Sequence, residues 1–513
     1  MFNKKSNTKI NLLFLLVLMF FVLVIFVPAV YVLKYSINLN ILMNHLAIKA
    51  VLYSFAIGLT VTFVNLVFGI PLGWTIARSR HWFVRLVDNL VDLSLVMPTA
   101  ALGFSIYLYW GTNYGLSRLL GLNDGFFSRG PIMIILLHLV FTLPYMIRSV
   151  VTAIQQIETQ VEEAAVTLGA SPFTYFRTVA SPLFRDGVVN GSILSFTRSL
   201  SETGATMMVA GAFVTAPVLI INLKEQGDLS AASGVSIFLI ITAIAILLIT
   251  KLLLGKRKMN LSWAFPKTER MISRLAPLKD IIIFIFFFLF IFLPTILIVF
   301  YGIGHFAIPD LTILINSLVI SLLLALLVTI INLIFSIPFA YIIARNRYRI
   351  GHLMDTLCEI VLLVPTSALG LSLALFWRKF IPSDMLILVM AHLSFTFPLL
   401  VKPLASAFKE VSKSQEEAAF SLGAGIKKMF ITILLPQIKP AIIAGCIMAF
   451  MRSISETGAT LAVTKNVKTI TILIVDLFKA DDLSMAAFAC SVLFIVAFIF
   501  LYLLKRNQIS KNK

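Results

Sequence analysis

Long apolar stretches separated by short polar segments run through the whole chain. The hydrocarbon core of a bilayer is about 30 Å thick, so a helix needs roughly 20 residues to cross it. Stretches of that length predict twelve spanning helices, near residues 11–33, 50–77, 88–110, 132–153, 186–212 and 229–254, and near 280–303, 314–344, 354–377, 385–408, 440–463 and 482–505. The pattern therefore predicts an all-α polytopic membrane fold with six spans in each half of the chain.

The two halves are also related in sequence. The segment SFAIGLTVTFVNLVFGIPLGWTIARSR, which begins at Ser54, aligns with SLLLALLVTIINLIFSIPFAYIIARNR, which begins at Ser321. The alignment pairs Asn65, Pro71 and Arg78 with Asn332, Pro338 and Arg345. An even number of spans in each copy keeps the copies parallel, related by an axis along the membrane normal. We therefore predict a first half at 1–255, a cytoplasmic linker at 256–279 and a second half at 280–513, with a pathway between the halves.

Composition and charge agree with a membrane protein. The 513 residues are 59% hydrophobic and 13% charged, with a mean hydropathy of +0.99, which excludes a water-soluble globular domain. The net charge of +19 comes from Lys and Arg between the apolar stretches, which is typical of cytoplasmic loops that face anionic lipid rather than of nucleic-acid binding. The positive-inside rule places both termini in the cytoplasm. The linker region carries the densest basic cluster: Lys251, Lys256, Arg257, Lys258, Lys267, Arg270, Arg274 and Lys279.

The most specific motif occurs twice, after the fourth predicted span of each half. EEAAVTLGAS begins at Glu162 and EEAAFSLGAG begins at Glu416. These segments resemble the EAA loop of permeases of binding-protein-dependent (type I) ABC importers, whose pattern is Glu-Ala-Ala, then a Gly and later a Pro. The loops span 158–182 and 412–436. The residues that the resemblance assigns to ATPase coupling are Glu162, Glu163, Ala164, Ala165, Gly169 and Pro182, and Glu416, Glu417, Ala418, Ala419, Gly423 and Pro436.

The residue types of the loop suit a short helix that docks into a partner. Glu162 and Glu163 in a first turn would favour the positive end of the helix dipole, and the alanines would keep the helix slim. Gly169 can adopt the left-handed conformation that ends a helix. A solvated surface helix would use similar residues, but two copies in matching positions favour coupling.

The resemblance implies a type I ABC importer fold of two parallel six-helix repeats in a bacterial or archaeal cytoplasmic membrane. It also implies two copies of a separate ABC ATPase, which bind ATP and Mg, and an extracytoplasmic substrate-binding protein. Because GxxxxGK[ST] does not occur in the sequence, we expect no ATP or other cofactor in this chain and no enzymatic activity of its own.

Charged residues lie inside the fifth predicted span of each half. FTRSLSETGAT begins at Phe196 and FMRSISETGAT begins at Phe450, with 9 of 11 positions identical. Each Arg precedes its Glu by four residues, so the pair shares one helix face, and small residues beside it permit close helix approach. The candidate pathway or inter-half residues are Arg198, Ser201, Glu202, Arg452, Ser455 and Glu456, together with Pro98 and Pro365, which should kink or break the third span.

Two interpretations of the charge pairs stay open: they line the pathway, or they lock the helices without meeting substrate. In either case we expect them near the interface between the halves. The segment is similar to that of oxyanion permeases for molybdate, tungstate, sulfate and phosphate, whereas the fused halves are similar to ferric-iron and thiamine permeases. A secondary active transporter with parallel repeats is the alternative class. It would have no use for paired EAA loops.

Isolated histidines and cysteines indicate packing rather than chemistry. His138 and His392 match in the fourth spans, where a hydrogen-bonded core role is favoured over a metal site. Cys358, Cys446 and Cys490 each lie in an apolar segment without a CxxC or Cys/His cluster. We therefore predict neither a metal site nor a disulfide.

Overall fold

A computed structural model describes residues 15–34, 45–254, 268–269, 271, 275–304, 311–345, 349–464 and 466–509. Every regular element in these residues is a helix, as the apolar pattern predicts. Much of the predicted linker lies outside the described residues, including Lys256, Arg257, Lys258, Lys267, Arg270 and Arg274.

The helices of the two halves follow the same order. In the first half they are α1 (Leu15–Lys34), α2 (His45–Arg78), α3 (Trp82–Val96), α4 (Thr99–Gly111), α5 (Leu116–Leu119), α6 (Pro131–Gln155), α7 (Thr159–Thr167), α8 (Pro172–Tyr175), α9 (Ser181–Ser201), α10 (Gly204–Val209), α11 (Ala216–Glu225) and α12 (Leu229–Leu254). In the second half they are α13 (Pro277–Gly304), α14 (Leu311–Arg345), α15 (Arg349–Leu363), α16 (Thr366–Trp377), α17 (Asp384–Glu410), α18 (Lys413–Ser421), α19 (Ile426–Ile454), α20 (Gly458–Val463), α21 (Ile470–Lys479) and α22 (Leu483–Ile509).

The spans of the described chain agree with the predicted segments. By length and composition, eight helices can cross a membrane, and the bent pairs α3–α4 and α15–α16 raise the number to ten. The two other predicted spans correspond to α9–α10, which carries several charged residues, and to α12, whose apolar stretch Leu229–Ala245 is shorter. About twelve spans, six in each half, therefore describe the fold.

Each third span is broken at a proline, as predicted. The axis turns by 112° between α3 and α4 and by 106° between α15 and α16. Pro98 and Pro365 stand just before the second helix of each pair, with extended ψ angles of 131° and 135°. Proline lacks an N–H and disfavours helical backbone at the residue before it, so the helix ends there and a new one starts.

The chain folds into two compact units that do not coincide with the halves of the sequence. One unit takes its described residues from Met1–Asn44, Leu219–Ile240 and Ala307–Lys513, and the other from His45–Val218 and Ile241–Phe306. The bounds 1–255 and 280–513 of the two halves stay a prediction. In the structure α1 and α13, the first helix of each half, pack into the unit that the other half mainly builds, and Leu219–Ile240 also belongs to the unit of the second half.

A serine forms a hydrogen bond with each of the two first helices, α1 and α13. In the first unit, Ser372 Oγ donates a hydrogen bond to the carbonyl of Pro28 at 2.6 Å and accepts one from the N–H of Val32 at 2.8 Å, so the hydroxyl replaces a bond of the helix ladder in α1. In the second unit, Ser105 Oγ donates to the carbonyl of Pro294 in α13. These serines and prolines are equivalent in the repeat, so the first helix of each half is held in the unit of the other half by the same kind of contact.

Stacked aromatic rings support the same exchange. The ring of Phe20 in α1 lies 3.8 Å from that of Phe335 in α14, and the ring of Phe286 in α13 lies 3.7 Å from that of Phe68 in α2. Phe21 and Ile25 of α1 are fully buried in a core with Phe339. The first helix is therefore part of the core of its unit.

Candidate functional site: coupling loops and buried charge pairs

The two EAA loops form the same short helix and end in the same way. In α7, the N–H of Gly169 donates to the carbonyl of Val166 at 2.9 Å and the N–H of Ala170 to that of Ala165 at 3.0 Å. This is the Schellman arrangement, which requires a left-handed residue. Gly169 has φ +82° and Gly423, at the end of α18, has φ +79°, so the predicted left-handed conformation is present in both copies.

The two alanines of each motif face opposite ways. Ala165 is buried in a cluster with Met146, Val150 and Phe184, whereas Ala164 is exposed. Ala419 and Ala418 divide in the same way in the second half. One alanine of each motif therefore packs its helix onto its own unit, and the other keeps the exposed face free of bulky side chains.

The two adjacent glutamates also differ. Glu162 Oε2 lies 2.7 Å from Arg78 Nη1 at the end of α2, whereas Glu163 is exposed. The second half repeats the arrangement: Glu416 pairs with Arg345, and Glu417 is exposed. The first turn of each helix holds only Glu162 or Glu416, so the prediction that both adjacent glutamates lie there is wrong.

An exposed leucine follows each of the two EAA helices, α7 and α18, and extends their exposed face. Leu168 and Leu422 stand just before the glycines and are each 88% exposed. Sequence reasoning did not single out these leucines, and it named the arginines at the ends of α2 and α14 only as matching positions of the repeat, without a role. The available signal was their recurrence at matching positions of the repeat.

The motif prolines follow a wide helical turn in both halves. Phe176–Ala180 and Phe430–Leu434 are turns of the π type, and Pro182 and Pro436 stand in the first turn of the helix segment that follows. Proline cannot donate the hydrogen bond that would reach back four residues, and a locally widened turn accommodates its ring.

The predicted linker contacts the first EAA loop. Glu269 is buried, and its Oε1 lies 2.6 Å from Arg177 Nη2 while its Oε2 accepts a hydrogen bond from Thr174 Oγ1 at 2.5 Å. The equivalent positions of the second half are Ile431 and Lys428, which cannot make this pair of contacts. The contacts of Glu269 therefore distinguish the first EAA loop from the second.

The fifth span of each half is broken at the predicted charge pair. Helix α9 ends at Ser201, and Glu202 adopts an extended backbone with ψ 133° before α10 begins at Gly204. Arg198 Nη2 and Glu202 Oε2 are 2.9 Å apart, and Glu202 Oε1 accepts the N–H of Ala205 at 3.3 Å. The ion pair that sequence predicts is present, but the prediction of one continuous helix is wrong, because the carboxylate caps a new helix.

The second half contains the same break. Arg452 Nη1 and Glu456 Oε2 are 2.5 Å apart, and Glu456 Oε1 accepts the N–H of Ala459 at 2.8 Å. Ser201 and Ser455 stand just before the two glutamates, and their hydroxyls donate to the carbonyls of Arg198 and Arg452 at 3.0 and 3.2 Å. Each buried carboxylate is thus neutralised within its own unit.

A histidine from the fourth span bridges each break. His138 Nδ1 lies 2.7 Å from Ser199 Oγ before the break, and its Nε2 lies 2.9 Å from Thr206 Oγ1 after it. His392 makes the same contacts to Ser453 and Thr460 at 2.8 and 3.1 Å. The predicted hydrogen-bonded core role is confirmed, and no group of three or more His, Cys, Asp or Glu in the described residues could hold a metal ion.

The fourth span also supplies an aromatic partner for each arginine. The Arg198 guanidinium lies 5.0 Å from the ring centroid of Phe141, and that of Arg452 lies 5.2 Å from the ring centroid of Phe395. A cation over an aromatic face gains electrostatic energy in a desolvated setting. These contacts support a structural role for the charge pairs, while their position relative to a pathway stays a prediction.

The broken third span packs its backbone onto the broken fifth span. A Cβ added to Gly103 in α4 would lie 2.8 Å from Ala205 Cα, and one added to Gly370 in α16 would lie 2.7 Å from the carbonyl oxygen of Ala459. Pro98 and Pro365 therefore start helices whose glycines lie against the capped turns of Glu202 and Glu456.

Two helical repeats, broken third and fifth spans and two matching EAA loops describe a multi-span membrane protein built from a duplicated half. The chain belongs to the family described as binding-protein-dependent transport system inner membrane component, which matches residues 69–255 and 336–511. Two matches in one chain confirm the fused pair of permease halves. Members of this family are membrane-spanning transport permeases of ABC importers and are not themselves enzymes.

Curated relatives match about half of this chain. A probable sulfate transport system permease protein of Helicosporidium sp. subsp. Simulium jonesii is 28% identical over 253 residues, which is 47% of this chain and 92% of the relative. The molybdate/tungstate transport system permease protein of Methanocaldococcus jannaschii is 29% identical over 224 residues, 44% of this chain and 88% of the relative. The molybdenum transport system permease protein of Haemophilus influenzae is 29% identical over 213 residues, 40% of this chain and 92% of the relative.

Proposed function

We propose that this permease docks two copies of a separate ABC ATPase on its two EAA loops and transports a small oxyanion that an extracytoplasmic binding protein delivers. ATP and Mg would bind the ATPase. The observation that carries the coupling role is the exposed face of α7, with Glu163, Ala164 and Leu168, which recurs on α18.

Such a face suits a protein partner. An almost fully exposed leucine between a left-handed glycine and a slim helix offers an anchor that a partner pocket would desolvate. Because equivalent residues form the face in both halves, it would accept the same partner surface twice. A secondary active transporter, the alternative class, would leave both faces without a purpose.

The names of the relatives support the substrate class. They are permeases for sulfate, molybdate, tungstate and molybdenum. These anions share a compact tetrahedral shape and negative charge, so an oxyanion is favoured over ferric iron.

Replacing the exposed leucines should weaken ATPase binding. We expect Leu168→Glu and Leu422→Glu each to raise the Kd of the ATPase subunit that co-purifies with the wild-type chain by about 30-fold, because a hot-spot anchor contributes about 2 kcal/mol. The double variant should lose co-purification. Affinity is measured in detergent with purified subunits.

The matched control is Leu119→Glu, which makes the same change at a leucine that is 79% exposed in α5, between the third and fourth spans. It should bind the ATPase like the wild type. Unchanged ATPase affinity in the double variant Leu168→Glu/Leu422→Glu would contradict the docking role. Substrate uptake by liposomes without any ATPase would instead support the secondary transporter.

The substrate class is tested by stimulation of the reconstituted complex. In proteoliposomes with the ATPase and the binding protein encoded with this permease, we expect binding protein loaded with molybdate, tungstate or sulfate to stimulate ATP hydrolysis. Binding protein incubated with ferric iron should leave hydrolysis at the unloaded rate. Stimulation by ferric iron and not by any oxyanion would overturn the proposed substrate while leaving ATPase coupling intact.

A further inference from the structure

We propose that Arg78 and Arg345 are positioning residues for energy coupling: each ties its coupling helix to the second span of its half, so that movement of the coupling helix is passed to that span. The inference rests on the proposed coupling function. The adjacent glutamates of each motif differ: Glu162 and Glu416 form ion pairs with these arginines, whereas Glu163 and Glu417 are exposed.

Each arginine ends a very long helix. Arg78 is the last residue of the 34-residue α2, and Arg345 is the last residue of the 35-residue α14. A cation in the last turn is favoured by the helix dipole, so the guanidinium is held where the span ends. A displacement of Glu162 or Glu416 therefore acts directly on the end of the second span.

In the second half, one guanidinium joins three elements. Arg345 pairs with Glu416 of α18, and its Nη1 donates to the carbonyl of Phe408 at 2.6 Å, near the end of α17. Its Nη2 lies 3.3 Å from the carbonyl of Val411. The second span, the fourth span and the coupling helix thus share one charged hydrogen-bond centre.

Tyrosine hydroxyls reach both ion pairs from different elements. Arg78 Nη2 donates to Tyr175 Oη at 3.1 Å from α8, whereas Tyr341 Oη in α14 donates to Glu416 Oε2 at 2.9 Å. The repeat places Met429 opposite Tyr175, and Trp74 opposite Tyr341. Each ion pair therefore has a tyrosine partner, on the arginine in the first half and on the glutamate in the second. Because the tyrosines stand at different positions of the repeat, these contacts are not simply inherited from the duplication.

The surroundings of the first ion pair keep the hydroxyl of Tyr175 protonated. Burial raises the pKa of the Tyr175 hydroxyl above its usual value, while the Arg78 guanidinium opposes that rise. The phenol therefore stays neutral at physiological pH and can accept from the guanidinium.

The two pairs differ in burial, which guides the choice of variants. The side chains of Arg345 and Glu416 are each 9% exposed, whereas those of Arg78 and Glu162 are 21% and 36% exposed. Substitution at the first pair is the safer test of function, because water can solvate the charge that is left behind.

The test compares Arg78→Met with the neighbouring variant Glu163→Gln in the reconstituted complex of full-length permease, ATPase and binding protein. Arg78→Met should leave the Kd of the ATPase within about threefold of the wild type but lower substrate taken up per ATP hydrolysed by about tenfold, in the range of ordinary coupling energies. Glu163→Gln should show the reverse pattern: weaker ATPase binding with unchanged uptake per ATP.

The charge-exchanged variant Arg78→Glu/Glu162→Arg checks that the pair itself matters. It should recover most of the uptake per ATP that Arg78→Glu alone loses. Wild-type uptake per ATP in Arg78→Met, or a loss of ATPase affinity as large as that of Glu163→Gln, would overturn the positioning role. If the wild-type chain bound no ATPase at all, the proposed function would fail instead, and the two failures are distinguishable.

Discussion

Adding a single methyl group at Gly103 or Gly370 should strongly destabilise the permease. The new Cβ of Gly103→Ala would lie 2.8 Å from Ala205 Cα and 3.0 Å from its carbonyl oxygen, and that of Gly370→Ala would lie 2.7 Å from the carbonyl oxygen of Ala459. Because backbone atoms cannot rotate away, the helices must separate, which costs about 3 kcal/mol. The measurement is thermal unfolding of the purified chain in detergent.

Gly304→Ala is the matched control, because a Cβ there meets no atom within 4 Å. It should unfold like the wild type. Ala205→Gly should not rescue Gly103→Ala, since the Cα and carbonyl oxygen of residue 205 would still be in the way. Equal unfolding temperatures for Gly103→Ala and Gly304→Ala would show that the third and fifth spans do not pack as described.

Removing the arginine of a buried pair should have the second large effect. In Arg452→Met, the Glu456 carboxylate, 3% exposed, would lose its counter-charge while still capping α20. Breaking a buried ion pair on one side costs about 3–5 kcal/mol. We expect a marked fall in unfolding temperature, measured beside Lys468→Met. The Lys468–Asp476 pair spans 3.9 Å and is about half exposed, so its loss should matter little.

The same variants separate the two interpretations of the charge pairs. If they lock the helices, Arg198→Met and Arg452→Met should lower stability, ATPase stimulation and uptake together, and Arg452→Lys should restore part of the stability. If they line the pathway for an oxyanion, uptake should fall much more than ATPase coupling. A variant Arg452→Met as stable and active as the wild type would contradict both interpretations.

Local sequence was sufficient to predict the helices of the EAA loops, but not which residue of each loop packs inward and which stays exposed. The recurrence of EEAA with a following glycine predicted two short helices and their left-handed ends, because a glycine in that position is a property of the local backbone. It did not separate Glu162 from Glu163, since that choice depends on Arg78, which is distant in sequence. For the same reason the sequence did not predict the exposure of Leu168 and Leu422, which depends on the elements that the helix packs against.

The fifth span shows where periodicity misleads. Arg198 and Glu202 at a spacing of four fitted one helix face, and the ion pair forms at 2.9 Å. The helix nevertheless ends at Ser201, because Glu202 can cap α10, His138 bridges the two segments and Gly103 allows close packing against the turn. Each of these partners lies on another element.

Sequence by itself determined the number of apolar segments, the duplication, the broken third spans and the paired EAA motifs, because hydropathy over roughly 20 residues and the backbone limits of proline and glycine are local properties. Only the tertiary structure decided which unit receives each first helix, which glutamate turns inward and where the fifth span breaks. Hydropathy is the same whichever neighbour an apolar helix meets. Specific contacts between residues far apart in sequence decide which unit each first helix joins. One example is the hydrogen bond that the N–H of Val32 in α1 donates to Ser372 Oγ, 340 residues away in the chain.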